Sequence, residues 1–464
     1  MKLYNTLTHS VQELEPLEPP TVTLYTCGPT VYYYPHIGNW FTFVRYDTLV
    51  RALKANGLRP KWVMNITDVG HLVSDADEGE DKLEKGAKRE GKTAWQVAEF
   101  YTAYFRGGLD RLNITSPDYL PRATDHIAEQ IAFVQQLESK GYTYIISDGV
   151  YYDTSKFHRY ADFARLDVDG QQAGSRVENN PEKRQPSDFA LWKFSPSDRT
   201  RDMEWDSPWG KGFPGWHLEC SVMSMKYLGN TLDIHAGGID HIPTHHTNEI
   251  AQSEAVTGQP LAKLWLHTNH ITVNGEKIAK SLGNGITLED VEAQGYGLAV
   301  LRLHILESHY RSQSKFSWDS LAAAGNRLRD YQTFADLRFQ ATDSQPLDVD
   351  YRGLKEQITA AMADDLNTPE VLRLISQVSK TQAVPPSQAA LPEFISFLTF
   401  LDDLLGLRLL ASQDLSAVEK DLLEKRRQAR GAKDWQQADA LRTQIHDAGL
   451  GVNDSDDDQV WYRL

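Results

Sequence analysis

Cysteine is almost missing from this chain: among 464 residues there are two, Cys27 and Cys220. So few, so far apart, exclude a disulfide-stapled secreted scaffold and read instead as metal-binding or catalytic thiols. Apolar runs of about eighteen residues are also missing, which excludes a membrane-spanning helix. Met1-Lys2-Leu3-Tyr4-Asn5 carries no signal-peptide h-region, so a cytoplasmic location with no membrane partner is expected. Positive charge is short, with 48 Lys and Arg against 64 Asp and Glu. The resulting net charge of −16 argues against indiscriminate coating of nucleic acid and leaves room for local contacts. No internal repeat or long low-complexity tract is visible. What remains is an ordinary globular composition, 41% hydrophobic and 24% charged, on a chain long enough for two or more domains.

Residues 21–26 alternate as a strand, and a Gly-Pro loop follows. After His36-Ile37-Gly38-Asn39 a helical run passes through Phe43, Leu49, Val50 and Leu53 to Gly57, and a second strand is expected over 61–66. Such alternation predicts a parallel sheet with crossover helices and ligands at the carboxyl ends of its strands. Trp95, Ala98, Thr102, Phe105, Leu109 and Leu112, then Ile127, Ile131 and Val134, read as helical core stripes. The segment 143–205 reads as an irregular or β-rich insertion that splits the sheet. Alternation resumes with a helix over 218–227, a strand at 232–235, a helix over 245–256 and a strand at 264–267. From 288 onward only helices are expected, with breaks near 342–350 and at Pro385-Pro386-Ser387 and a small element at the acidic tail.

A histidine at the start of a helix that follows a strand is well placed for phosphate, which makes His36 and Gly38 candidates. Lys277-Ile278-Ala279-Lys280-Ser281, between Gly275 and Gly283, can close over a triphosphate and offset charge on a leaving pyrophosphate. The i, i+4 pair His245 and Glu249 shares one helix face and can join the two thiols in a four-ligand zinc site. Spacing alone equally permits His241 with His245, or His246 with Glu249. The basic run Lys425, Arg426, Arg427, Arg430 and Lys433 reads, by itself, as a solvated helix face.

Together these motifs resemble the class I aminoacyl-tRNA synthetases, with their HIGH and KMSKS signatures, and within them the cysteinyl family. The similarity runs through Tyr25-Thr26-Cys27-Gly28-Pro29, Asn65-Ile66-Thr67-Asp68, Pro121-Arg122-Ala123-Thr124, Ala173-Gly174-Ser175-Arg176-Val177 and Gly215-Trp216-His217-Leu218-Glu219-Cys220. It continues through His309-Tyr310-Arg311-Ser312-Gln313 to Arg430-Gly431-Ala432-Lys433-Asp434-Trp435. Asn39 stands in place of the second histidine of HIGH, and Ile278-Ala279 in place of Met-Ser.

The resemblance implies an α/β fold: a Rossmann-type parallel sheet split by a connective insertion, followed by α-helical stem-contact and anticodon-binding domains. The expected divisions are 1–125 and 206–270 for the catalytic halves, 126–205 for the insertion, 271–340 for the stem-contact region with the KMSKS-like loop, 345–410 for a helical domain and 415–464 for the anticodon-binding element. The resemblance selects Cys27, Cys220, His245 and Glu249 as ligands of one Zn2+ per chain. It implies catalytic roles for His36, Lys277 and Lys280, and ATP contacts from His36, Gly38, Asn39, Gly238, Asp240 and Lys280. Thr67, Trp216 and His235 are expected to bind the amino acid, and Arg430, Trp435 and Asp439 the anticodon. The implied partners are tRNA-Cys, L-cysteine and ATP with Mg2+, acting on a monomer. Because a zinc-bound thiolate separates cysteine from serine, no editing domain is expected. Two other readings stay on the table. A ligase joining cysteine to an amino sugar would lack the C-terminal module; a zinc hydrolase or zinc-stabilised binding protein would have no use for the lysine loop.

Overall fold

The computed structural model describes residues 1–70, 81–165, 180–196, 200–278, 285–343, 349–382, 384–454 and 459–464, in two units: 1–290 with 310–315, and 291–309 with 316–464. The segment 271–340 contributes residues to both.

The first unit begins with a hairpin absent from the sequence reading, β1 (Lys2–Asn5) and β2 (Ser10–Glu13), and then follows the alternation. Next come β3 (Thr21–Thr26), α1 (Ile37–Ala55) and β4 (Arg59–Met64), the last set two residues earlier than expected. Helices α2 (Lys82–Glu90), α3 (Ala94–Arg111) and α4 (Ile127–Ser139) follow. Among its described residues the insertion carries an antiparallel sheet of β5 (Thr143–Ile146), β6 (Gly149–Tyr152) and β7 (Phe189–Phe194), joined past the expected boundary at 205 by β8 (Gly212–Pro214). Then α5 (Trp216–Leu228), β9 (Leu232–Gly238), α6 (Thr247–Thr257) and β10 (Ala262–Thr268) complete the core layer. Two short strands, β11 (Ile271–Val273) and β12 (Glu276–Lys277), lead to α7 (Leu288–Ala293).

The central sheet has the order β10-β9-β3-β4, and all its pairs are parallel. The chain therefore runs outward from β3 to β4 and, after the insertion, outward the other way from β9 to β10. The switch point lies between β3 and β9, where a parallel sheet opens a crevice at its carboxyl ends. Apolar side chains from β3, β9, β10, α4, α5 and α6, including Leu218, Met223, Leu232, Ile250 and Trp265, form one core with Cys27 and Cys220. On the other side α1 is buried along most of its length. Trp40 stacks on Phe105 at 5.7 Å over Gly108, where a Cβ would come within 2.2 Å of the indole.

Trp95 departs from the stripe to which the sequence assigned it. It is 46% exposed, and its indole N–H donates to the Asp202 carbonyl beside the Trp205 ring. It sits in the first turn of α3, where the loop at 202–205 gives it a polar partner that the core would not.

The second unit packs α8 (Leu298–Leu306), α9 (Trp318–Asp336), α10 (Tyr351–Ala363), α11 (Thr368–Thr381) and α12 (Leu391–Leu405), then α13 (Ala417–Gly431) and α14 (Trp435–Asp447). It is not helical throughout. Its tail is a hairpin of β14 (Leu450–Asp454) and β15 (Gln459–Arg463), whereas strand β13 (Ser314–Phe316), ahead of α9, begins in the first unit beside β11. The hairpin pairs Val452 with Trp461 and turns both, with Leu450, onto Leu415, Leu423 and Ile445. Three inward residues amid a polar tail leave too short a period to read from sequence.

Candidate active site

Cys27 follows the last residue of β3, and its N–H donates to the Ala236 carbonyl on β9, which sets it in the switch-point crevice. Cys220 lies on α5 one turn from Trp216, and Glu249 lies on α6 one turn after His245. All four are buried, and their ligand atoms, two sulfurs, an imidazole nitrogen and a carboxylate oxygen, lie within 4.8 Å of one another. A second group, Cys27, His235, His246 and Glu249, meets the same limit and shares two members with the first.

A layer of hydrogen bonds surrounds these atoms. Glu249 receives His235 Nε2 at 2.8 Å on one oxygen and lies 3.0 Å from His245 Nε2 on the other. That second oxygen has no hydrogen-bond partner by geometry among the described residues. His245 Nδ1 meets His217 Nδ1 at 2.9 Å, which leaves Nε2 facing the cluster. Cys27 Sγ lies 3.2 Å from His246 Nε2, whose other nitrogen meets His267, itself held by Thr6.

The electrostatics suit a cation. Burial pushes the Cys27 thiol well up, while a hydrogen bond from Cys27 holds Cys220 down to about 6. Burial opposes a charged His245, yet Glu249 and Cys220 lift it to about 10. Burial likewise opposes the Glu249 carboxylate, and His235 and His245 outweigh it. Thiols, imidazole and carboxylate of mixed charge, buried together with one carboxylate oxygen unbonded, form a donor set that can hold a divalent metal.

Thr67, Trp216 and His235 are the residues expected from the sequence to bind the amino acid. The Thr67 hydroxyl donates to Glu219 at 3.1 Å and accepts from Asn65 Nδ2 at 3.0 Å, and the Asn65 side-chain oxygen accepts from the Gly28 N–H. A Cβ on Gly28 would fall 1.7 Å from the Asn65 carbonyl oxygen, so only glycine fits there. Thr67 thus has its proton committed and presents lone-pair density. The Trp216 ring lies 4.8 Å from that of His245. His235 is fully buried, stacked on Trp265.

His36 occupies the N-cap of α1, and its N–H donates to Asn39 Oδ1 at 3.1 Å, which leaves the Asn39 amide nitrogen as the remaining donor. A Cβ on Gly38 would press on the His36 ring and on Ile278. Ile37 N–H donates to the Ile286 carbonyl at 2.7 Å. Both flanks of the lysine loop therefore meet the His36 turn. Lys280, with Ala279 and Ser281, and the side chain of Lys277 lie outside the described residues, as do 173–177. Gly238 ends β9, and Asp240 follows it in a short helical turn, its Oδ1 2.4 Å from where a Gly238 Cβ would stand.

At the C-terminus the basic run divides: Lys425, Arg427 and Lys433 are exposed, as a solvated face requires, whereas Arg426 and Arg430 turn to Asp454. Arg426 is 3% exposed and bonds Asp454 through both terminal nitrogens, at 2.7 and 2.8 Å. Arg430 pairs with Asp454 at 2.9 Å, Arg427 with Glu424, and Lys425 with Asp421. Trp435, the first residue of α14, is 60% exposed, and Asp439 is exposed one turn on.

The residues that sequence reasoning missed are the supports His217, Glu219, Asn65 and His267; His246, weighed there as a ligand beside Glu249, stands in the second donor group. The first three stood inside runs already singled out, and a carboxylate or amide beside a candidate ligand was the available signal.

Residues 13–326 match the family described as tRNA synthetases class I (C) catalytic domain, and residues 412–461 match the cysteinyl-tRNA ligase anticodon binding domain. A cysteine–tRNA ligase 1 from Burkholderia lata is 44% identical over 99% of this chain and 96% of its own length. A cysteine–tRNA ligase from Treponema denticola is 38% identical over the full length of both chains. Among solved structures, a Mycobacterium tuberculosis methionyl-tRNA synthetase bound by methionyl-adenylate superposes with a TM-score of 0.59 at 14% identity, over 84% of this chain and 92% of that one, a likeness of fold. Catalytic and anticodon-binding parts in one full-length match place the chain among the class I aminoacyl-tRNA synthetases, in the cysteine–tRNA ligase family.

Proposed function

We propose that the chain activates L-cysteine with ATP and transfers it to the 3′ end of tRNA-Cys. In the first step a cysteine carboxylate oxygen attacks the α-phosphorus and pyrophosphate leaves. In the second a terminal ribose hydroxyl attacks the acyl carbon and AMP leaves. Positioning and charge stabilisation dominate such a reaction. His36, at the dipole-positive start of α1, serves the phosphates with Lys277 and Lys280, while Gly238 and Asp240 at the end of β9 approach the nucleoside. Thr67, its hydroxyl held by Glu219 and Asn65, accepts from the substrate ammonium, and Trp216 and His235 bound the pocket. Cys27, Cys220, His245 and Glu249 would hold a zinc ion that, when bound, offers the substrate thiolate a coordination position serine cannot fill as well. A site built on a bond the competitor lacks can reject it by about 10⁴ without editing. Arg430, Trp435 and Asp439 serve the anticodon.

What supports this most is the convergence of four buried donor atoms within 4.8 Å, from segments up to 222 residues apart, at the switch point of the sheet. The test is to incubate zinc-replete protein with ATP, total tRNA and labelled cysteine or serine, and to count acid-precipitable label. Charging with cysteine alone is expected. Cysteine-dependent ATP consumption without charging would move the acceptor elsewhere, and equal charging with serine would remove the selector role.

A further inference from the structure

Beside the His36 turn stands an aromatic cluster that the proposed chemistry does not use. Tyr34, two residues before the N-cap of α1, packs edge-on against Tyr101 at 5.1 Å and Tyr104 at 4.8 Å on α3. Around it lie Tyr33, 5.6 Å away, and Phe100, 6.2 Å away. Tyr33 and Phe100 are 41% and 42% exposed, and both flank the same Tyr34 ring. Each carries a cation: the Arg89 guanidinium lies 4.6 Å from the Tyr33 ring centre and the Lys92 ammonium 4.6 Å from that of Phe100. One carboxylate holds both cations there, since Glu90 receives Arg89 at 2.7 Å and Lys92 at 3.2 Å, together with the Tyr101 hydroxyl at 2.6 Å.

At the exposed rings themselves two cations, Arg89 and Lys92, stand against one carboxylate, Glu90. Exposed rings interleaved with cations recognise unpaired nucleotides: every base has a face that stacks on an aromatic ring, and Lys and Arg meet the phosphates. An apolar protein partner would want rings without the cations, and a small anion would have no use for the rings.

We propose that Tyr33, Phe100, Arg89 and Lys92 form a stacking platform for the unpaired nucleotides at the 3′ end of the RNA substrate. This rests on the proposed acceptor, because a terminal ribose can reach the carboxyl edge of the sheet only if the single-stranded end is led there. In the chain, the platform adjoins the turn that bears His36.

The test uses full-length protein with Tyr33→Ala, Phe100→Ala and the pair, against intact tRNA-Cys and the same tRNA trimmed back to its last base pair. Stacking on an aromatic side chain is worth about 1–3 kcal/mol per base, so each single variant should weaken binding of intact tRNA about 10-fold. Binding of trimmed tRNA and cysteine-dependent pyrophosphate exchange should stay at the parent level. Equal weakening of intact and trimmed tRNA would place the contact on another part of the RNA and overturn the proposal, as would unchanged binding of both. A parallel loss of pyrophosphate exchange would make the rings structural. If the parent protein bound and charged no tRNA at all, the acceptor assignment itself would fall, which distinguishes that failure from a failure of the platform.

Discussion

The crevice in the first unit encloses its ionisable groups, whereas the C-terminal helix pair and hairpin spread theirs over the surface. Cys27, Cys220, His235, His245, His246 and Glu249 are all less than a tenth exposed and fall in two overlapping groups, each with its ligand atoms within 4.8 Å of one another. In the second unit Lys425 and Arg427 form ion pairs on a face more than half exposed, and Trp435 projects from the first turn of its helix. The same residue types are used for opposite ends. Burial raises the cost of every unpaired charge, so the crevice fixes its donors in one arrangement. Exposed pairs are worth little to stability and remain available to a partner.

The sharpest way to break the contrast is to remove one donor from the crevice. Cys220→Ser should lower metal affinity by more than about 100-fold and weaken cysteine binding in step, since even supporting residues around a metal are worth 10–100-fold. Metal analysis and equilibrium cysteine binding check it. Normal cysteine affinity in metal-free protein would break the link between the donor set and the substrate.

Arg426 is the exception in the C-terminal region, a nearly buried guanidinium held by Asp454 and Gln459. Arg426→Ala should destabilise the β14–β15 hairpin by about 2 kcal/mol, because it removes the charge-assisted hydrogen bonds that a buried guanidinium makes to Asp454 and Gln459, while Arg430 keeps its pair with Asp454. Faster amide exchange confined to that hairpin and to α13, with adenylate formation unchanged, is the expected readout. No change in exchange would put Arg426 with the weak surface pairs.

A third test lies between burial and exposure. Asp68 is 3% exposed, and burial pushes its carboxyl up from 3.8 to about 6 against hydrogen bonds from Thr124. The folded state therefore holds this proton more tightly than the unfolded chain does. Its contribution is most favourable below about pH 4 and is lost as pH rises through 6, a swing of about 3 kcal/mol. Asp68→Asn should flatten the fall in Tm between about pH 4 and 6. A Tm profile parallel to that of the parent would show that Asp68 titrates normally.

Much of this was legible in the sequence because it is local. The strand at 21–26, the helix after His36 and the i, i+4 pair of His245 and Glu249 each repeat a short period that one segment carries. The split sheet followed from alternation on either side of the insertion. What was not legible depends on partners far along the chain. Within the basic run at 425–433, Arg426 and Arg430 read as solvated because Asp454, which takes them up, lies more than twenty residues on. His217 and His267 support the cluster from α5 and β10, and no spacing within either segment says which way they face. Trp95 fitted a helical stripe by number alone and turned to Asp202 instead.

The smallest expected effect bears on the exposed side. If Trp435 offers its ring to an anticodon base, Trp435→Ala removes stacking worth about 1–3 kcal/mol and should raise KM for tRNA about 10-fold. Its side chain is 60% exposed, so the change should leave Tm within about a degree and pyrophosphate exchange untouched. Equal losses in KM for tRNA and in adenylate formation would mean that the indole supports the fold of the catalytic unit, and the contrast between an enclosed crevice and an open recognition surface would fail at its most exposed residue.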